Sequence, residues 1–296
     1  MKGTSPPSPI THTMTSDLYH RIKAQLLPFY KPGEASALTL LLMEKGLGVS
    51  RTDALCGKDM FFSPKTEAHL TDMLAQLRRH VPIQYVLGEA DFCGLTIGVR
   101  PGVLIPRPET EELVEWACHV ADHLPTQRIR IIDCCTGSGC IALALATRLP
   151  WASVTGTDYS TTALDIARDN ARRLALRCEF VHDDVLNSRL DTQADLIVSN
   201  PPYICEEERR DMDDNVLLHE PPEALFVPDD DPLVFYRALA ALGQRTLKAG
   251  GWLMTEINRR FAPAVVDLLT NSGYVEAESR KDSWGNDRMV AARKKG

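Results

Sequence analysis

Ile131-Ile132-Asp133-Cys134-Cys135-Thr136-Gly137-Ser138-Gly139-Cys140-Ile141-Ala142 runs from an apolar, β-branched stretch through a loop of small residues into an alanine-rich segment. Strand, glycine loop and helix in that order open a βαβ unit, and the rest of the chain is read outward from it. Glycine tolerates positive φ and lets a ligand come close to the backbone. In a doubly wound sheet such a loop lies at the carboxyl ends of the strands, where ligands bind.

Strand and helix patterns alternate on the C-terminal side of this stretch. Apolar runs predict strands over 129–134, 153–157, 179–182, 195–199 and 252–257, with helices over 139–148, 161–176, 232–247 and 263–271. Ser160 suits an N-cap, Pro263 a first helical turn and Gly273 a C′ position. Two further strands, 275–280 and 288–292, follow each other with no helix between them and fit an antiparallel addition at one edge. The expected fold of residues 109–296 is therefore α/β, a doubly wound, mostly parallel seven-stranded sheet covered on both faces.

The N-terminal side reads differently. Residues 16–88 carry helical patterns, among them Leu70, Met73, Leu74 and Leu77, with no convincing strand and Pro82 breaking the last helix. Residues 89–108 hold two short extended runs around Pro101-Gly102, which predict a β-hairpin linking two domains. Residues 1–15 lack an apolar core and read as a disordered tail.

The chain has 296 residues, a formal net charge of -7 and 44% hydrophobic residues, a soluble globular composition. An acidic chain is a poor general nucleic-acid binder, so no stable nucleic-acid partner is expected. Its eight cysteines form no C-x-x-C pair, which gives a zinc or redox site little support and fits a reducing compartment. No apolar run approaches membrane-spanning length, so the expectation is a cytoplasmic protein without a membrane partner.

The second strand ends at Asp158, about 20 residues past the glycine loop, where an acid accepts hydrogen bonds from ribose hydroxyls. Gly137-x-Gly139-x-x-Ala142 also satisfies a dinucleotide fingerprint, and a plain strand-to-helix turn fits it too. Asp183 and Asp184, after the third strand, fit either an adenine edge or a solvated acidic turn.

Asp195-Leu-Ile-Val-Ser-Asn200-Pro-Pro-Tyr-Ile204 narrows the choice. A core strand stops here at an asparagine, two prolines and a tyrosine. Asn200 is biased to extended backbone by the proline after it, and Pro201 and Pro202 have fixed φ and no N–H. The loop thus offers acceptors on a stiff frame, with Tyr203 as a flat face beside them. Two acceptors and a flat face suit a planar group bearing NH2. If the Asn200 side-chain oxygen and the Pro201 carbonyl each accept one N–H, the nitrogen lone pair can be aimed at an electrophile held about 3–3.5 Å away. A dehydrogenase would need a proton-relaying group at this point, for which Tyr203 alone is a thin case.

With Pro82-Ile83-Gln84-Tyr85-Val86-Leu87-Gly88, Ile105-Pro106-Arg107-Pro108-Glu109-Thr110-Glu111, Asn200-Pro201-Pro202-Tyr203-Ile204 and Glu220-Pro221-Pro222-Glu223-Ala224-Leu225 assembled, the chain resembles the class I S-adenosylmethionine-dependent methyltransferases with an NPPY motif. Within them it is similar to the HemK/PrmC family, the release factor glutamine N5-methyltransferases, over most of its length. The resemblance implies a Rossmann-like catalytic domain and a helical domain at 16–88 that helps dock the substrate. The substrate it implies is the glutamine of the Gly-Gly-Gln motif in class I peptide-chain release factors; the alternative is an exocyclic amine of DNA or RNA, since the NPPY motif alone is shared with such enzymes. A monomer is expected. The resemblance further implies that Asn200, Pro201, Pro202 and Tyr203 hold the amide and carry catalysis. Asp133, Cys135, Thr136, Gly137, Ser138, Gly139, Asp158 and Asn200 would hold S-adenosylmethionine, converted to S-adenosylhomocysteine, with Asp184 and Val185 near its adenine. Arg107 and Glu109 would either line the substrate cleft or tie the domains together.

Three positions depart from the family pattern. Cys135 stands where the first glycine of G-x-G-x-G is usual, so the backbone there is expected to do without positive φ. Val185 replaces a frequent aromatic neighbour of adenine, and Val227-Pro228-Asp229-Asp230-Asp231 replaces a glycine-bearing stretch.

Overall fold

The computed structural model describes residues 11–125 and 128–296. The chain forms two compact units, one holding the chain up to Gly88 together with Asp214–His219, the other holding Glu89–Asp213 and Glu220–Gly296.

In the first unit, strand β1 (Thr11–Met14) leads to helices α1 (Thr15–Leu26), α2 (Pro32–Leu41) and α3 (Arg51–Cys56). Strand β2 (Asp59–Phe62) and helices α4 (Pro64–Leu77) and α5 (Ile83–Leu87) follow. The core is built by residues at helical spacing: Leu18, Ile22 and Leu26 of α1 pack with Leu70, Met73, Leu74 and Leu77 of α4. Ser50 and Ser63 cap α3 and α4 by accepting the N–H of Asp53 and Thr66.

Two expectations change here. The stretch read as strandless contains β2, and the stretch read as tail through residue 15 contains β1, which pairs antiparallel with it from Thr11 opposite Phe62 to Met14 opposite Asp59. Residues 1–10 lie outside the described residues. Thr-His-Thr-Met has no apolar alternation, so backbone pairing with partners 45 to 51 positions away makes it a strand.

The second unit begins with a hairpin of β3 (Glu89–Phe92) and β4 (Leu95–Gly98). Its turn is Cys93-Gly94, both at positive φ (49° and 76°), not Pro101-Gly102; residues 103–105 form no strand. Asn170 fastens this hairpin, accepting Gly98 N–H at 2.8 Å and donating to the carbonyls of Gly98 and Ser138, both at 2.9 Å.

After α6 (Pro108–Asp122) come β5 (Arg130–Cys134), α7 (Cys140–Arg148), β6 (Ser153–Asp158), α8 (Thr161–Leu174), β7 (Glu179–His182) and β8 (Ala194–Ser199). Short strands β9 (Ile204–Cys205) and β10 (Phe226–Val227) pair beside the NPPY loop, and between them α9 (Asp214–His219) belongs to the first unit. The chain closes with α10 (Val234–Thr246), β11 (Leu247–Glu256), α11 (Ala262–Asn271), β12 (Tyr274–Lys281) and β13 (Asp287–Lys294).

Seven strands form one sheet in the order β12-β13-β11-β8-β5-β6-β7. Only β13 runs antiparallel to its neighbours, as the helix-free closing strands foretold. Every residue of β8 is buried, the mark of a strand covered on both faces. β8 lies beside β5, so the NPPY loop and the glycine loop leave the same edge of the sheet side by side.

Gly156 in β6 is required by that edge. A Cβ there would come within 2.7 Å of Thr136 Oγ1 in the glycine loop and of the Phe180 ring. Gly156→Ala is therefore expected to lower stability by about 1–3 kcal/mol, read as a lower urea midpoint at unchanged m-value.

Candidate active site

The second unit contains a cavity of about 300 Å3, within the range of small-molecule sites, at the carboxyl ends of β5, β6, β7 and β8. From the glycine loop Cys135, Thr136, Gly137 and Ser138 line it; from the next two strand ends come Asp158, Asp184 and Val185; the NPPY loop adds Asn200 and Pro202. Arg107 lines the same cavity, its guanidinium bonded at 2.6 Å to the buried Glu220, whose other oxygen accepts Ile105 N–H. Asp133, Gly139, Pro201, Tyr203 and Glu109 do not line it.

Each loop is held from behind. Asp158 accepts Gly137 N–H and Ser160 N–H, one on each oxygen, both at 2.8 Å, so the half-buried carboxylate faces the cavity with lone pairs to spare. Burial raises its pKa, opposed by those two N–H groups. Asp133 serves the interior: it accepts from the Thr136 hydroxyl at 2.5 Å and Ala142 N–H at 3.1 Å, tying loop to helix α7.

Cys135 corrects the expectation made for it. Its φ is 59°, so the backbone keeps the left-handed turn although no glycine is present, at a cost of about 1–2 kcal/mol. Neighbouring bonds hold it there, Thr136 N–H to the Thr157 carbonyl and Gly139 N–H to the Thr136 carbonyl. Asp184 is drawn into local capping, accepting from Leu186 N–H and the Asn187 side chain. Its neighbour Asp183 also lines the cavity, and its Oδ2 is buried without a partner. The Ser138 hydroxyl is likewise buried on the cavity wall with no hydrogen bond of good geometry, although the Cys140 thiol stands beside it. Two orphaned polar atoms in one cavity lining that also holds Asp158 could take a nucleoside bearing a polar tail.

The NPPY loop rests on a network that sequence reading missed. Asn200 Nδ2 donates to Thr110 Oγ1 at 3.2 Å, and the Thr110 hydroxyl donates to Glu256 Oε2 at 2.6 Å. Tyr203 packs its ring against the core and donates to Glu256 Oε1 at 2.8 Å. Asn258 donates to the Tyr203 carbonyl at 3.1 Å. Among the described residues, Asn200 Oδ1 and the Pro201 carbonyl receive no hydrogen bond. Thr110 lies in the IPRPETE segment, but Glu256 ends an apolar strand and carries no local motif.

A sheet of this strand order, with its one antiparallel strand next to the edge and a cavity at the carboxyl ends, is that of a class I methyltransferase. Residues 118–228 match the family model described as methyltransferase small domain, and residues 17–88 the PrmC N-terminal domain. The release factor glutamine methyltransferase of Bacteroides thetaiotaomicron is 42% identical over 273 residues, 92% of this chain and 97% of the relative. That of Flavobacterium psychrophilum is 38% identical over 269 residues, 90% and 94% of the two chains. The chain belongs to the release factor glutamine methyltransferase family. Among solved structures, the Thermus thermophilus 16S rRNA N2 G1207 methyltransferase, in complex with AdoMet and guanosine, shares the fold with a TM-score of 0.50 at 20% identity, over 70% of this chain and 50% of that one.

Burial pushes Asp133 up to about 7, against the pull of Thr136 and Ala142. An unfolded aspartate titrates near 3.9, so the folded state holds this proton more tightly. The stability contributed is complete below about pH 4 and is lost as pH climbs through 7. Relative to Asp133→Asn, the wild type is expected to lose about 2–3 kcal/mol between pH 5 and pH 8 in urea melts.

Proposed function

We propose that this protein transfers a methyl group from S-adenosylmethionine to the side-chain nitrogen of the Gly-Gly-Gln glutamine of class I release factors. The observation that carries the reading is the free pair of acceptors, Asn200 Oδ1 and the Pro201 carbonyl, on a loop whose prolines donate nothing. A carboxamide offers two N–H donors in one plane, and no hydrogen bond from the loop competes for its nitrogen lone pair. The bound donor supplies a sulfonium-activated methyl group, which needs neither metal nor acid catalysis.

Asp158 takes the ribose hydroxyls, Asp183 Oδ2 the adenine amino group, and Val185 the adenine face. Cys135, Thr136, Gly137 and Ser138 cradle the polar tail. Asn200 borders both donor and amide. Pro201 gives its carbonyl, Pro202 stiffens the loop and lines the donor cavity, and Tyr203 braces the loop from behind through Glu256. Asp133 and Gly139 shape the glycine loop without reaching the donor, and Arg107 stands at the cavity beside Glu220. Glu109, outside the cavity, is assigned to the start of α6. The N-terminal unit docks the release factor. The enzyme acts as a monomer in the cytoplasm, without stable nucleic acid; no helix of the described residues is long and apolar enough to cross a membrane.

Labelled S-adenosylmethionine and a release factor, followed by mass spectrometry of the modified peptide, test the reading. The expected label sits on the Gly-Gly-Gln glutamine; label absent there, or entering an RNA or DNA fraction instead, removes it. Asn200→Ala is expected to lower kcat by about a hundredfold or more while the donor dissociation constant, by calorimetry, changes by less than about threefold.

A further inference from the structure

We infer that Glu256 positions the Asn200 amide and does so through Thr110, fixing which end of that amide faces the substrate. The inference rests on the reading of Asn200 as an amide acceptor and adds how its orientation is imposed.

The Thr110 hydroxyl owns one proton and spends it on Glu256 Oε2 at 2.6 Å. What remains on that oxygen is lone pairs, so the end of Asn200 that meets it at 3.2 Å has to be the NH2. Nitrogen and oxygen lie on opposite sides of the amide, and Oδ1 is thereby turned away from Thr110. An ionised carboxylate accepts and cannot donate, which makes Glu256 the fixed end of the chain. It cannot rotate out of this role, because Tyr203 holds its other oxygen at 2.8 Å. Nor does solvent offer an alternative: Thr110 is 2% exposed and Glu256 1%.

Burial raises the Glu256 pKa, opposed by the Thr110 and Tyr203 hydroxyls and the nearby Arg288; geometry shows the acceptor role, since each oxygen takes one hydroxyl donor. Without an acceptor at this point the Thr110 proton is free to swing onto Asn200 Oδ1. The amide would then rotate and present NH2 to the incoming carboxamide, donor against donor. Direction thus passes from the end of β11 through α6 to the loop after β8, across positions 256, 110 and 200 that no local pattern joins.

Four single variants, one double variant and one spectroscopic signal test this. Glu256→Met removes the acceptor, whereas Glu256→Gln keeps one for Thr110 by turning its NH2 to the Tyr203 hydroxyl. Thr110→Val removes the link and Thr110→Ser keeps it. Glu256→Met and Thr110→Val are each expected to lower kcat for a Gly-Gly-Gln peptide by about tenfold or more, with donor affinity unchanged by calorimetry. Glu256→Gln and Thr110→Ser should stay within about fivefold, and the Met/Val double variant should lose little beyond the worse single one. In the free protein, an NOE between the Asn200 side-chain NH2 and the Thr110 methyl group reports orientation without any substrate. It should be present in the wild type and lost in Glu256→Met. Wild-type kcat in Thr110→Val, additive losses, or a missing wild-type NOE overturns the inference; should Glu256→Met fail to fold, the Thr110 pair and the NOE still decide. Absence of glutamine methylation by wild type with the NOE present would instead sink the substrate reading alone.

Discussion

One buried carboxylate holds the substrate side of the site together. Glu256 sits at the end of β11, wholly inside the protein, and an ion so placed loses several kcal/mol of hydration unless its lone pairs are filled. Filling them recruits the hydroxyls of Thr110 from α6 and Tyr203 from the NPPY loop. That loop owns few hydrogen bonds of its own, because Pro201 and Pro202 have no N–H to give. Its place is set by side chains, with Tyr203 below, Asn200 on Thr110 and Asn258 on the Tyr203 carbonyl, and by the N–H groups of Tyr203 and Ile204, which both donate to the Leu225 carbonyl. Stiffness comes from proline, position in part from the buried acid, and neither uses Asn200 Oδ1 or the Pro201 carbonyl.

The donor side uses two carboxylates for opposite tasks. Asp133 is turned inward and spends its bonds on shape, Asp158 is turned outward and keeps lone pairs for a ligand. Between them Cys135 stays left-handed at a position where glycine would be unstrained. The strain persists because the surrounding bonds over-determine the loop, and it lies where the backbone meets the cavity.

How much of this was legible follows from which forces are local. The five parallel strands announce themselves as apolar runs, and the antiparallel edge follows from two strands with no helix between them. A hairpin was expected within 89–108 but from the wrong strands: Pro101-Gly102 is the stronger local signal, yet the chain turns at Cys93-Gly94, inside the run expected as one strand, and 103–105 form none. Strand β1 has no apolar pattern and exists through backbone pairing with β2. At the site, Asn200, Asp158 and the glycine loop could be read from spacing. Thr110 and Glu256 could not be joined, since their bond spans 146 positions and each has an ordinary local role, one in a helical first turn, the other at a strand end. The inward turn of Tyr203 was hidden for the same reason.

On the proposed role of Asn200 and Pro201, the arrangement also bears on why no catalytic base is needed at the acceptors. Glu256 is the acid nearest the NPPY loop in this network, yet both its oxygens are occupied by hydroxyl donors, so neither is free to reach the nitrogen. An amide nitrogen becomes acidic only once it has been alkylated, so a base acting earlier would gain little. What the reaction asks for before transfer is a lone pair held in line, and neutral acceptors do that without taking the proton. A neutral side chain, aimed by a buried charge two hydrogen bonds away, keeps the electrostatic bias for the moment when positive charge develops on nitrogen.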